Sequence, residues 1–235
     1  MTQSTMRTGA PFTFGPIPIP RNRQIAQDIF RIYSIKAGMR VVTCESGLEA
    51  LAIYDAEANP NITWLCEQPL QLNQPIGKRP QYTFDLALQY DVGDPVHLEI
   101  KPSTRLVQSA NGQKAPPYWD KLKPVCENWG FNIDFRTELD YALRSQLITN
   151  WRTLLPFASV AYRDPDEELE TRILNLSSRR TGVSIRQVCA AEPDQDSNTV
   201  IASIARLLHQ GRLSAPLNEE RVTPNMILTE VLRES

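Results

Sequence analysis

Asp85 is separated by thirteen residues from the triplet Glu99-Ile100-Lys101. Residues 81–90, QYTFDLALQY, alternate with period two. Tyr82, Phe84, Leu86, Leu88 and Tyr90 share one face, and Thr83, Asp85 and Ala87 share the other. The tight turn DVGDP follows, and then Val96 to Lys101 alternates again. There Val96, Leu98 and Ile100 point one way, while His97, Glu99 and Lys101 point the other. Laid side by side as a hairpin, the two strands bring Asp85 towards Glu99 and Lys101. Two carboxylates beside an ammonium suit Mg²⁺, a hard cation that typically uses one or two carboxylates plus phosphate oxygens. The lysine can orient or deprotonate an attacking water, or steady charge on a phosphate. Glu49 can supply a third carboxylate from the preceding helix. The competing reading is an aspartate at a strand edge and a surface Glu–Lys pair.

Other chemistries find less support. Cys44, Cys66, Cys126 and Cys189 form no C-x-x-C pair, and only His97 and His209 could help them. A structural zinc site is not expected, and the thiols read as reduced and mostly buried. His97 could serve a cysteine nucleophile as a base, but no nucleophile motif surrounds any cysteine. No G-x-S-x-G is present.

The 235 residues are 41% apolar and 22% charged, which is ordinary globular composition with room for one large or two modest domains. The net charge of −2 excludes nucleic-acid binding by bulk charge alone. No apolar run is long enough for a membrane span. The N-terminal MTQSTMRTGAPFTFG lacks an apolar stretch, which predicts no secretory signal and a cytoplasmic location.

Prolines 11, 16, 18 and 20 make residues 1–20 a flexible tail. Ile25, Ile29 and Ile32 predict a helix over 22–37. Residues 1–40 hold Arg7, Arg21, Arg23, Arg31, Lys36 and Arg40 against Asp28 alone, a local balance of +5. That segment is either a solvated arm or a basic face that meets phosphate. Ser46 or Thr43 can cap the next helix, with Glu49 placed for a capping box from Ser46, and the helix runs to about Ala58. Strands are expected at 62–67 and 70–72, then a turn over 73–80. Beyond the hairpin come a helix from Pro117 to Trp129 closed by Gly130, a strand at 131–135, and a helix from Glu138 that Pro156 ends. The RDPDEE stretch at 163–168 marks a boundary between residues 21–163 and a C-terminal unit, 164–235. Three helices, at 167–178, from an N-cap at Ser184, and after Asp196 to a stop at Gly211, precede a possible strand at 212–217 and another short element from Val222. That order fits a winged helix.

Asp85 with Glu99 and Lys101 matches the signature of the PD-(D/E)xK nucleases. The wider strings ESGLEALAIYDAEANPNITWLCEQPLQL, QYTFDLALQY and LEIKP closely resemble the TnsA family, the endonuclease subunits of heteromeric cut-and-paste bacterial transposases. The resemblance spans about residues 38–160: a helix of the form ES-x-LE, a strand ending in QP, a YTPDF-like strand and a (V/I)E(V/I)KP-like strand. It implies an α/β (α+β) restriction-endonuclease-like domain with a mixed sheet and a C-terminal winged-helix domain. It places metal ligation on Asp85 and Glu99 and the catalytic amine on Lys101. Glu49 is the helix carboxylate and third metal ligand, with Glu45, one turn earlier, as the fallback. Gln68 matches the family's Gln-Pro. Phe84 stands where the family often has proline, a departure expected to alter packing more than catalysis.

The resemblance further implies an endodeoxyribonuclease, with Mg²⁺ as cofactor and Mn²⁺ as substitute. It would cut one strand at each transposon end while a TnsB-like DDE transposase cuts the other, under a TnsC-like AAA+ regulator. Residues 166–235 carry eight arginines against eleven acids, so the C-terminal unit reads as a protein-docking module more than a DNA reader. A stand-alone restriction-type or repair nuclease, and a non-catalytic docking subunit on a nuclease scaffold, remain the other readings. Intact Asp85, Glu99 and Lys101 argue against the last.

Overall fold

The computed structural model describes residues 12–17, 28–178 and 181–231. In chain order the strands are β1 (Phe12–Phe14), β2 (Phe30–Ser34), β3 (Arg40–Cys44), β4 (Ile62–Glu67), β5 (Leu70–Leu72), β6 (Tyr82–Thr83), β7 (Leu86–Tyr90), β8 (Val96–Ile100), β9 (Val107–Gln108), β10 (Lys114–Ala115), β11 (Asn132–Arg136), β12 (Val183–Ser184), β13 (Leu213–Ser214) and β14 (Ile227–Glu230). The helices are α1 (Gly47–Ala58), α2 (Trp119–Asn128), α3 (Glu138–Ala142), α4 (Ser145–Arg163), α5 (Glu167–Ser177), α6 (Ile185–Ala191) and α7 (Ser197–His209).

The chain forms two compact units. One holds Met1–Ile32, Val42–Ala50 and Ile62–Asp140; the other holds Tyr33–Val41, Leu51–Asn61 and Tyr141–Ser235. The two units interleave along the chain, and the last crossing from the first to the second lies between Asp140 and Tyr141. The reason lies in α4, whose buried stripe of Leu147, Ile148, Trp151, Leu154, Leu155 and Ala158 belongs with α7 in the second unit.

In the first unit, a mixed four-stranded sheet runs in the order β11-β8-β7-β4. β7 is antiparallel to β4 and β8, with Leu86 opposite Leu98 and Ala87 opposite His97. β11 is parallel to β8 and is reached through α2, since parallel neighbours need a long crossover. A second sheet, β1-β5-β6, lies in the same unit. Leu70, Leu72, Ile76, Tyr82, Phe84, Leu122 and Cys126 form its buried core, with Phe131 and Ile133 packed against it.

The expected strand over 81–90 is two strands in two sheets. Tyr82 pairs with Leu72, while Leu86 pairs with Leu98. Between them the Phe84 N–H donates to Leu70 O and the Asp85 N–H to Leu98 O, both at 3.0 Å. Asp85 thus sits where the chain leaves one sheet for the other.

Two more expectations change. The helix over 22–37 is replaced, in its described part, by β2; residues 22–27 lie outside the described residues. Phe30, Ile32 and Tyr33 have high β propensity, and alternation buries Ile32 and Ser34 in pairing with β3. The helix expected over 138–155 is α3 followed by α4, and Pro156 lies inside α4 instead of ending it. Proline removes one helical hydrogen bond, and the buried apolar stripe on both sides of it offsets that loss. Strand β1 in the proline-rich tail, and β9 and β10, were not expected; β1 pairs with β5.

In the second unit, the order after α4 is helix, strand, helix, helix, strand, strand, with β14 between β12 and β13. Ser184 caps α6 through a full capping box with Gln187, and Asp196 caps α7. Asn150 of α4 donates to Leu217 O and Glu220 O at 2.9 and 2.8 Å and accepts the Val222 N–H at 3.0 Å. Arg7, Arg21, Arg23, Arg179, Arg180, Arg233 and Glu234 lie outside the described residues.

Candidate active site

A cleft of about 970 Å³ opens in the first unit, and Asp85, Glu99, Lys101, Glu49, Glu45 and Gln68 all line it. The hairpin register sets the geometry. Leu86 opposite Leu98 puts Asp85 beside Glu99, and the alternation of β8 puts Lys101 on the face of Glu99. The Lys101 Nζ lies 2.9 Å from Asp85 Oδ2 and 2.7 Å from Glu99 Oε1. It also donates to Ile100 O at 3.1 Å. The Asp85 Oδ2 accepts the Ile100 N–H at 2.7 Å, so the backbone of β8 helps to hold the carboxylate. Past β8 the chain stays in register, with the Lys101 N–H donating to Arg136 O at 3.0 Å.

Glu49 enters from the first turn of α1 and is held by the cap expected there. Ser46 Oγ donates to Glu49 Oε1 at 2.7 Å and accepts the Glu49 N–H at 3.2 Å. Glu49 Oε2 accepts the Glu45 N–H at 3.0 Å. Both carboxylate oxygens of Glu49 are therefore engaged locally, while its field still reaches Asp85. Burial first, and then the Asp85 charge, raise the pKa of Glu49. Gln68 has a left-handed backbone, φ 43°, and its N–H donates to Asp85 O at 3.0 Å.

Glu99 is 2% exposed. Burial, followed by the neighbouring Asp85 charge, pushes its carboxyl up to about 7, against the pull of the Lys101 ammonium. Lys101 is displaced upward: burial opposes its charge, but the Asp85 and Glu99 carboxylates outweigh that. The ammonium is thus held charged between two carboxylates. Cys44 and Cys126 are buried, and burial pushes both thiols up to about 12, which disfavours the nucleophilic thiolate.

The donors fit a hard divalent cation by type. Glu99 Oε2 is a buried carboxyl oxygen that meets no hydrogen-bond geometry, and Glu99 Oε1 shares the Lys101 ammonium with Asp85. Among the described residues no three such side chains are gathered as a ligand set. Mg²⁺ needs only one or two carboxylates when substrate phosphates and waters complete its shell.

Two features had no signal in the pattern of residues. Arg79 and Arg105 line the cleft from the 73–80 turn and from the segment after Pro102. Among the described residues, these two and Lys101 are three cations in the lining beside five carboxylates. The second feature is the Tyr82 hydroxyl, which acts on Glu99 although alternation assigns Tyr82 to the face opposite Asp85. No protein-family model matches the chain, and no curated protein matches it.

Proposed function

We propose that this chain is a metal-dependent DNA endonuclease subunit of the TnsA type. It would cleave one strand at each transposon end while a TnsB-like DDE transposase cuts the other, under a TnsC-like AAA+ regulator. The observation that carries the reading is the Lys101 ammonium held at 2.9 and 2.7 Å between Asp85 and Glu99 in an open cleft. Among the described lining residues carboxylates outnumber cations, and such a surplus repels a bare phosphodiester. Mg²⁺, or Mn²⁺ in its place, supplies the missing positive charge when bound. Asp85 and Glu99 are the residues that would hold it, and Glu49 would support Asp85 from the α1 cap. Lys101 is placed to meet the scissile phosphate and the water that attacks it. Location in the cytoplasm belongs to the same reading; no helix among the described residues is long and apolar enough to cross a membrane.

The strand and helix order after α4 supports a winged-helix reading of the C-terminal segment. Its third helix, α7, buries Val200, Ile204, Leu207 and Leu208 and packs most extensively on α4. A helix committed to internal packing has little surface left for a DNA groove, which favours protein docking.

The test is Lys101→Ala in a reconstituted transposition reaction. Cleavage of this enzyme's strand should fall by about 10²-fold or more, while the partner's cut and strand transfer continue. Long-read sequencing of the products should show a shift from simple insertions to cointegrates. Simple insertions at the wild-type proportion would remove Lys101 as the catalytic amine and, with it, this reading.

A further inference from the structure

Arg79 lines the cleft and is exposed. Carboxylates share that lining, yet among the described residues none forms an ion pair with Arg79. Its guanidinium lies instead 5.6 Å from the ring centre of Tyr82 and 5.9 Å from that of Tyr118, within cation–π range of both.

The turn that carries Arg79 is fixed to the core beneath it. The Ile76 N–H donates to Arg79 O at 2.9 Å, and the Arg79 N–H donates to Ile76 O at 3.2 Å. Ile76 is itself part of the buried core that holds Tyr82. Tyr118 has a left-handed backbone, φ 68°, which a bulky side chain rarely adopts. Gly77, at φ 64°, lies so close to the Tyr118 ring that a Cβ there would collide with it. Backbone strain of this kind persists only where the surroundings impose it, and it clusters at ligand clamps. Turn, glycine and tyrosines together hold one cation that no carboxylate neutralises.

The guanidinium names the ligand's chemistry. Its planar fork fits phosphate oxygens bidentately, and a guanidinium already held in place loses less freedom on binding. Lys101 is engaged by both Asp85 and Glu99, so its charge is committed to the reacting centre. Arg79 carries no such commitment. We propose that Arg79 binds a backbone phosphate of the DNA in this cleft, distinct from the scissile phosphate that Lys101 meets. The inference rests on the nuclease reading of the cleft and deepens it.

The test measures binding of the full chain to two fluorescein-labelled DNA duplexes of unrelated sequence, by anisotropy in Ca²⁺ over a series of KCl concentrations. Arg79→Gln removes the charge and keeps most of the side-chain length. It should weaken binding to both duplexes equally, since a phosphate carries no sequence information. The slope of log affinity against log salt should become shallower by about one, the loss of a single phosphate contact. Arg79→Lys keeps the charge and should restore the slope while binding more weakly than wild type, because an ammonium lacks the fork. An unchanged slope in Arg79→Gln would overturn the proposal. So would a loss confined to one duplex, which would make Arg79 a reader of bases. A shallow slope that Arg79→Lys does not restore would assign the residue to the fold and overturn it as well. No DNA binding by wild type would instead overturn the nuclease reading, and this inference with it.

Discussion

The carboxylate of Asp85 accepts the backbone N–H of Ile100 at 2.7 Å, so one of the two carboxylates at Lys101 is built into the hairpin that carries the other. A side chain that satisfies a backbone donor and an ammonium together serves both stability and charge. The two roles separate by substitution. Asp85→Ala leaves the Ile100 N–H and one side of the Lys101 ammonium unpaired, and should cost about 1–3 kcal/mol in urea unfolding. Asp85→Asn keeps an acceptor for Ile100 and should cost under about 1 kcal/mol, yet abolish strand cleavage, because the second carboxylate charge is gone. Wild-type cleavage by Asp85→Asn would detach Asp85 from the chemistry.

A second cluster in the other unit makes a prediction about pH. Glu57 is fully buried and accepts from Ser34 Oγ at 2.5 Å, from the Lys36 N–H at 3.2 Å and from His209 Nε2 at 2.8 Å. Tyr162 Oη lies 2.9 Å from His209 Nδ1, and the Trp151 ring packs edge-on against the imidazole. The Lys36 ammonium donates to the last carbonyls of α1 and to Asn59, which fixes it near the same cluster. Burial lowers the His209 pKa, and the Lys36 charge adds to this, against the opposing pull of Glu57. The neutral ring then donates from Nε2 to Glu57 and accepts from Tyr162. Because the folded pKa lies below the unfolded value of about 6.5, the unfolded chain takes up the proton first. This contribution is therefore complete above pH 6.5 and is lost as pH falls through the window beneath it. His97 shifts the same way, while Glu49 and Glu99, both raised, act with opposite sign. The informative quantity is thus the stability of wild type minus that of His209→Gln. It should shrink below pH 6.5 by at most about 1.4 kcal/mol per pH unit. A difference that is flat from pH 8 to 5 would remove His209 as the titrating group.

Two glycines with the same backbone should respond differently to a methyl group. Gly130 follows α2 with φ 72°, and a Cβ there would meet nothing within 4 Å. Gly130→Ala should cost only the left-handed penalty, about 1–2 kcal/mol. Gly182, at φ 67°, precedes β12, and a Cβ would lie 2.6 Å from Leu228 O on β14. Gly182→Ala carries the same penalty plus a backbone clash, so it should cost roughly twice as much. Equal losses in chemical denaturation would show that the β12–β14 pairing yields freely.

Much of the cleft was legible in the sequence because its parts are local. Period-two alternation in 86–90 and 96–101 determined the hairpin and put Glu99 and Lys101 on one face. The spacing of Ser46 and Glu49 determined the cap that holds Glu49, and Ser184 and Gln187 did the same for α6. Such features depend on residues within one turn or one hairpin, whose geometry the backbone dictates.

The tertiary structure decided everything that depended on a distant partner. Alternation alone joins 81–90 into one strand with Tyr82 and Asp85 on opposite faces. The carbonyl of Leu70 takes the Phe84 N–H and that of Leu98 takes the Asp85 N–H, so the chain changes sheets there and both side chains come to act on Glu99. Residues 30–34 form a strand because β3 pairs with them, which outweighs the helical spacing of isoleucines. Pro156 stays inside α4 because α7 covers the stripe around it. In each case a local preference of at most a few kcal/mol yields to the burial of several large apolar side chains, and the residues that supply that burial lie far away in the sequence.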